Sequence, residues 1–177
     1  PGADANWLTN ATGIASTLSP GDDGESDFQH VRNLLNVLKT TTYKQADEFF
    51  EGSQGEGDAA GNPSTSDIIN KINLGTGAVF YAGHGSPSSW ATGSVTKSAV
   101  ENLTNYDKYP LIWSAACENG NFAGNYCLAE AWLRASNSDG QPTGAAATLM
   151  SSGTQTSFPP MEAQDKIAEI LSNPTEG

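Results

Sequence analysis

The sequence predicts a three-layer α/β protein in which helices cover both faces of a mainly parallel sheet. Segments with strand character alternate with segments of helical periodicity along the chain, in the order β-α-β-α-β-α-β-α-β-α. Two of the strand segments, Gly77-Ala-Val-Phe-Tyr-Ala-Gly-His-Gly and Pro110-Leu-Ile-Trp-Ser-Ala-Ala-Cys-Glu-Asn-Gly, are continuous apolar runs, as expected of strands buried on both faces. Each run ends on a turn that carries a reactive side chain, His84 in one and Cys117 in the other. Ligands of open α/β sheets bind beyond the carboxyl ends of the strands, so this order can bring both side chains to one rim.

In chain order, residues 6–16 read as the first strand, and Ser19-Pro-Gly-Asp-Asp-Gly is a turn cluster. Ser26 or Asp27 can cap the helix that follows. Its residues Phe28, Val31, Leu34, Leu35 and Leu38 fall on one face at 100° per residue, which points His30, beside that face, toward solvent. Residues 43–50 hold a short strand. Gly52 to Pro63 is a loop rich in chain breakers, read as flexible and open to cleavage. Ser64 or Ser66 caps a helix through Ile68, Ile69 and Ile72, and the His84 strand follows. A helix near Val95 to Leu103 leads to the Cys117 strand. Residues 126–135 then read as helix, 143–151 as strand and 160–172 as a closing helix with Pro160 in its first turn. Right-handed crossovers would join the parallel strands. No internal repeat or long linker divides the 177 residues, which suit one domain.

The totals exclude several classes of function. Twenty acidic against eight basic residues give a net charge of −12, which opposes nucleic acid and anionic membranes as partners. No run approaches the length of a membrane span. Two cysteines, one after a strand and one in a helical pattern, make no disulfide framework and are poorly placed to bridge each other. The chain begins at Pro1 without a signal-peptide pattern, and is expected to be a mature or excised piece.

Nucleophilic catalysis is the chemistry on offer. A thiol attacks as thiolate, and a free cysteine, with a pKa of about 8.5, needs a base or a positive neighbour at neutral pH. His84, between two glycines at a strand end, fits that role better than His30 within a helix. The bland alternative is a buried structural cysteine and an ordinary loop histidine. Glu25, just before the first helix, is the candidate carboxylate to orient the imidazole, although Glu25 and Asp27 also suit a helix N-terminus by charge alone. The amides of Gly85 and Cys117 are the candidate oxyanion donors. The histidines and cysteines form no zinc pattern, whereas Asp22, Asp23, Glu25 and Asp27 leave calcium open without EF-hand spacing.

Six blocks, in order, carry a resemblance. They are Gly24-Glu-Ser-Asp-Phe-Gln-His; Tyr81-Ala-Gly-His-Gly-Ser followed by Trp90; Ala115-Ala-Cys-Glu-Asn-Gly-Asn-Phe; Ala129-Glu-Ala with Arg134-Ala; Pro142-Thr-Gly; and Pro160-Met with Gln164-Asp. From about Trp7 to Leu171 the chain resembles the gingipains, the C25 family of cysteine peptidases. The resemblance implies a caspase-like α/β/α fold, Cys117 as nucleophile, His84 as its partner, Glu25 as the supporting carboxylate, secreted or cell-surface peptide hydrolysis, and structural calcium. It also implies that residues 1–177 are a catalytic domain incomplete at its C-terminal end, with other segments of a processed precursor as partners. Gingipains cleave after Arg or Lys through an acidic pocket residue. The matching positions are read as Asn33 or Asn36, and as Thr156, Ser157 and Phe158 with Met161 as apolar wall. None of these supplies a countercharge, so a smaller polar or an apolar side chain is the expected preference.

The leading reading is therefore a secreted cysteine endopeptidase acting on polypeptides. A sortase-like transpeptidase and a non-catalytic caspase-fold module for binding or surface assembly are the alternatives. With Cys117 on an exposed rim and Cys127 against the core, brief iodoacetamide treatment should label Cys117 alone. Peptide mapping checks this, and equal labelling of both thiols would count against the dyad.

Overall fold

The computed structural model describes residues 4–41, 43–124 and 126–173. Its centre is a five-stranded, wholly parallel sheet formed by β1 (Asn10–Ala15), β2 (Gln45–Phe50), β3 (Ala78–Ala82), β6 (Leu111–Ala115) and β7 (Ala147–Met150), in the order β2-β1-β3-β6-β7. Because β2 lies on one side of β1 and β3 on the other, the chain changes direction between β1 and β3, and a crevice opens beyond their carboxyl ends.

Helices α1 (Asp27–Lys39) and α5 (Phe158–Ser172) cover one face; α2 (Thr65–Leu74), α3 (Lys97–Glu101) and α4 (Leu128–Arg134) cover the other. Alternation along β3 serves both layers. Ala78, Phe80 and Ala82 join the cluster under α1 and α5, while Val79 and Tyr81 join the one under α2, α3 and α4. On α1, the i, i+3, i+4, i+7 spacing of Val31, Leu34, Leu35 and Leu38 buries all four side chains, each worth about 1.5–3 kcal/mol of transfer free energy. Gly13 on β1 allows this approach, since a Cβ there would lie 2.5 Å from Val31 and 2.8 Å from Leu35.

Several boundaries differ from the sequence expectation, for local reasons. Residues Asn6–Thr9 form a 3-10 turn before β1 because Asp4 accepts from the Asn6 N–H and the Thr9 hydroxyl bonds back to Asn6 O. Ser26 caps α1, with Gln29 Oε1 accepting from its N–H at 2.9 Å, and Ser64 caps α2. The helices expected at 95–103 and 126–135 are shorter, and the strand expected at 143–151 starts at Ala147. A two-stranded hairpin, β4 (Gly85–Ser86) with β5 (Ser89–Trp90), follows β3 and is too short to leave a periodic signal. Both cysteines are free. Among the described residues no helix is long and apolar enough to cross a membrane.

The loop after β2, read as flexible, is tied down. Asp58 accepts from the backbone N–H groups of Phe50 and Gln54, each at 3.0 Å, and Asn62 accepts from Gly52 N–H at 2.7 Å. Arg32 of α1, buried and paired with Glu48 at 2.6 Å, donates to the carbonyls of Gln54 and Gly55. These bonds predict that the loop resists a glutamate-specific protease at Glu56, and that Asp58→Ala raises cleavage there on the order of tenfold by local opening. Limited proteolysis with fragment mass measurement checks it; equal rates would return the loop to the flexible class.

Candidate active site

The carboxyl ends of β1, β3 and β6 and the first turn of α5 enclose a cleft of about 160 Å³. Cys117 and His84 both line it, together with Leu18, Asp27, Gly83 and Gln155. Cys117 sits where β6 breaks, and the next residue, Glu118, takes φ 59°, a left-handed conformation that reverses the chain at once and leaves the thiol at the rim. Its Sγ donates to Gln155 O and receives the Gln155 N–H, both at 3.5 Å. His84 is exposed at the end of β3, and its carbonyl is held by the buried Tyr81 hydroxyl at 2.6 Å and by Ala91 N–H at 3.0 Å. Burial pushes the Tyr81 phenol up to about 12, so it remains a donor at any working pH. Gly85 packs so closely on the turn that carries Cys117 that a Cβ would lie 2.8 Å from Cys117 O, which fixes the residue type at this candidate oxyanion position.

Asp27 lines the same cleft, a placement that sequence reasoning missed. It is 3% exposed, and it accepts from the Ser16 hydroxyl at 2.5 Å while lining the cleft beside Cys117 and His84. Burial raises its pKa; the Ser16 hydrogen bond and the nearby His30 and His84 act against that shift. Of the residues expected to line a substrate pocket, Asn33 and Asn36 on α1 are both exposed and neither lines this cleft. Six residues of helix separate Asp27 from Asn33, about 9 Å at 1.5 Å per residue, and this carries Asn33 away from the rim. The legible signal was position: Asp27 follows the N-cap of the first helix after the first strand, which is where a βα unit meets its ligand. Thr156, Ser157 and Met161 do line the cleft, whereas Phe158 turns to a neighbouring acidic depression.

Glu25 does not meet His84. One oxygen of its carboxylate lies 2.8 Å from the ring nitrogen Nδ1 of His30 and the other accepts from Asn33 Nδ2 at 2.7 Å, and among the described residues no carboxylate is hydrogen-bonded to the His84 ring. His30, expected at the surface, is wholly buried, because α5 packs on the flank of α1 that carries it. Its Nε2 faces Gln164 Oε1 at 3.0 Å, and the Gln164 amide donates at 3.2 Å to Tyr81 O on β3 and to Trp113 O on β6. With the amide nitrogen committed to two carbonyls, the Gln164 oxygen must be what faces His30, so Nε2 carries a proton and Nδ1 looks into the acidic depression. There Asp22, His30 and Asp165 bring donor atoms within 4.8 Å of one another, and Asp22 Oδ1 is buried without a hydrogen-bond partner. Burial pushes Asp165 up to about 6; His30 opposes this, while Asp22, Glu25 and Asp23 add to it. Three carboxylates around a buried imidazole fit a hard divalent cation, which would pair the orphaned oxygen and relieve the crowding of negative charge.

A family model for peptidase family C25 matches residues 2–174. The chain belongs to peptidase family C25. Over 168 residues it is 37% identical to gingipain R2 of Porphyromonas gingivalis, a match that covers 93% of this chain and 22% of the relative. A 51-residue stretch, 29% of this chain and 3% of the relative, is 43% identical to Lys-gingipain of the same organism. The solved structure of the Arg-specific cysteine proteinase gingipain R superposes with a TM-score of 0.85 at 35% identity over 96% of this chain and 38% of that one. A complex of the pro- and mature domains of RgpB from P. gingivalis gives a TM-score of 0.84 at 34% identity, covering 95% and 38%. This C25 chain therefore has the caspase-like α/β/α fold of the gingipains, and it spans about a fifth of the length of the gingipain R2 it matches.

The buried Asp27 also carries a stability consequence. Its folded-state pKa lies above the unfolded value, so folding takes up a proton, and stability falls as pH rises from the unfolded pKa through the folded one. Asp27→Asn keeps the acceptor for Ser16 and removes the charge, so its melting temperature at pH 7 should exceed that of the parent, with the gap closing toward pH 3. A variant that melts lower at pH 7 would mean that the carboxylate has a cationic partner in the resting protein.

Proposed function

We propose that the chain is part of the catalytic domain of a secreted or cell-surface cysteine endopeptidase that hydrolyses polypeptides after a basic residue. The observation that carries this reading is the lining of one cleft by Cys117, His84 and the buried carboxylate of Asp27. His84 takes the thiol proton, and the thiolate of Cys117 attacks the scissile carbonyl carbon. The oxyanion that forms is met by the Gly85 and Cys117 amides. Collapse of the tetrahedral intermediate breaks the C–N bond as His84 returns the proton to the leaving amine, and water then hydrolyses the thioester with His84 again as base. No third member is assigned to orient His84, and Glu25 belongs to the His30 cluster.

Asp27 changes the expected specificity. A cation taken out of water needs a countercharge, and Asp27 supplies one where Asn33 and Asn36 do not. Arg or Lys before the scissile bond is therefore the preferred substrate, in keeping with the Arg-specific description of one structural relative. A complex of pro- and mature domains among the relatives supports other segments of a processed precursor as partners.

Cys117→Ala should abolish hydrolysis, His84→Ala should lower kcat by roughly a hundredfold or more, and Asp27→Asn should cut kcat/KM for Arg substrates on the order of a hundredfold while sparing apolar ones. A peptide library read by mass spectrometry tests all three. Cleavage unchanged in His84→Ala would remove the dyad, and Arg preference unchanged in Asp27→Asn would remove Asp27 from the pocket.

Calcium is proposed as a structural ion held by the carboxylates of Asp22, Glu25 and Asp165 beside His30, with no part in the reaction. Binding to the folded state alone stabilises it by mass action, about 2.7 kcal/mol at a hundred times Kd. Thermal melts with calcium chloride should rise over those in chelator, and Asp22→Asn should blunt the rise; identical melts in calcium and chelator would argue against the site.

A further inference from the structure

We propose that Asn119 is the positioning residue that sets the separation of His84 and Cys117, an inference that rests on the dyad assigned above. The two side chains stand on different loops. Parallel pairing of β3 with β6 ends at Ala82 opposite Ala115, with one further bond from Gly83 N–H to Ala115 O. Beyond that point their spacing depends on contacts between the hairpin that follows His84 and the turn that follows Cys117.

Asn119, in that turn and wholly buried, makes the connection. Its amide donates to Ser86 O at 2.7 Å and to Ser89 O at 3.1 Å, and these two residues pair across the hairpin. Its Oδ1 accepts from the Ser114 hydroxyl at 2.8 Å, and Ser114 Oγ accepts from Trp90 Nε1 at 3.0 Å. The amide can be oriented in one way only. Trp90 is a donor alone, so the hydroxyl proton of Ser114 must go to the Asn119 oxygen, and the two hairpin carbonyls can only accept. The turn is further anchored by Ala129 N–H to Asn119 O at 2.9 Å. Gly85 completes the join, since a Cβ there would lie 2.7 Å from Asn119 Nδ2 and 2.8 Å from Cys117 O. A fully satisfied buried network of this kind holds one geometry, and a proton transfer between two loops needs that.

The experiment compares Asn119→Ala, Ser114→Ala and the double variant with parent, Cys117→Ala and His84→Ala. Each is assayed for kcat, for KM on an Arg peptide, and, where Cys117 is present, for the pH profile of its alkylation. Asn119→Ala should lower kcat on the order of 10- to 100-fold, shift KM by less than about threefold, and move the alkylation profile toward that of His84→Ala. Ser114→Ala should change both readouts in the same direction but less, and the double variant should be no worse than Asn119→Ala, because the two act as one unit. If Asn119→Ala does not fold, Ser114→Ala decides by the same two readouts. Folded variants with kcat within about twofold of the parent and an unmoved alkylation profile overturn the positioning role. Full activity in Cys117→Ala or His84→Ala overturns the dyad reading instead.

Discussion

Burial of β3 on both faces is the constraint on which the rest of the structure depends. All five of its residues are at most 1% exposed, so helices must lie above and below it and its neighbours must pair along its whole length. A strand so enclosed can present chemistry only past its end, and β3 ends at Ala82, two residues before His84. The same logic applies to β6 and Cys117. The candidate rim thus follows from core packing, whatever chemistry takes place there.

Two acidic residues on either side of one helix cap show how finely the rim divides its surroundings. Glu25 precedes Ser26 and turns to His30 and Asn33; Asp27 follows it and turns to Ser16 and the cleft. A β-region residue at the cap swings successive side chains to opposite sides, so neighbours in sequence serve different cavities. One cavity gathers carboxylates around a buried imidazole, and the other holds a single carboxylate in a mixed polar and apolar cleft that Cys117 also lines.

The sheet, its two helical layers and the Cys117–His84 rim were legible because apolar runs and helical spacing are local signals that packing then honoured. Thr156, Ser157 and Met161 line the cleft because the start of α5 meets the rim. What was not legible depended on long-range fit. His30 looked solvent-facing on a helical wheel because the wheel does not know that α5 covers that flank. The loop of residues 52–63 looked loose because its ties come from Asp58, Asn62 and a guanidinium on α1, and single side chains closing backbone bonds leave no periodic trace. Asp27 was hidden because a carboxylate in the first turn of a helix has an adequate local explanation, and its burial depends on packing that the local pattern does not show.

Gln164 ties α5 to the main chain of two central strands and to His30 by bonds from one side chain. The pin sits two turns beyond Ser157, so the helix that walls the cleft is fastened near its own middle and shares the stiffness of the sheet. The part of the cleft that α5 supplies is thereby ordered when the protein folds, so a group docking against Met161 would not have to pay for ordering that stretch of wall again.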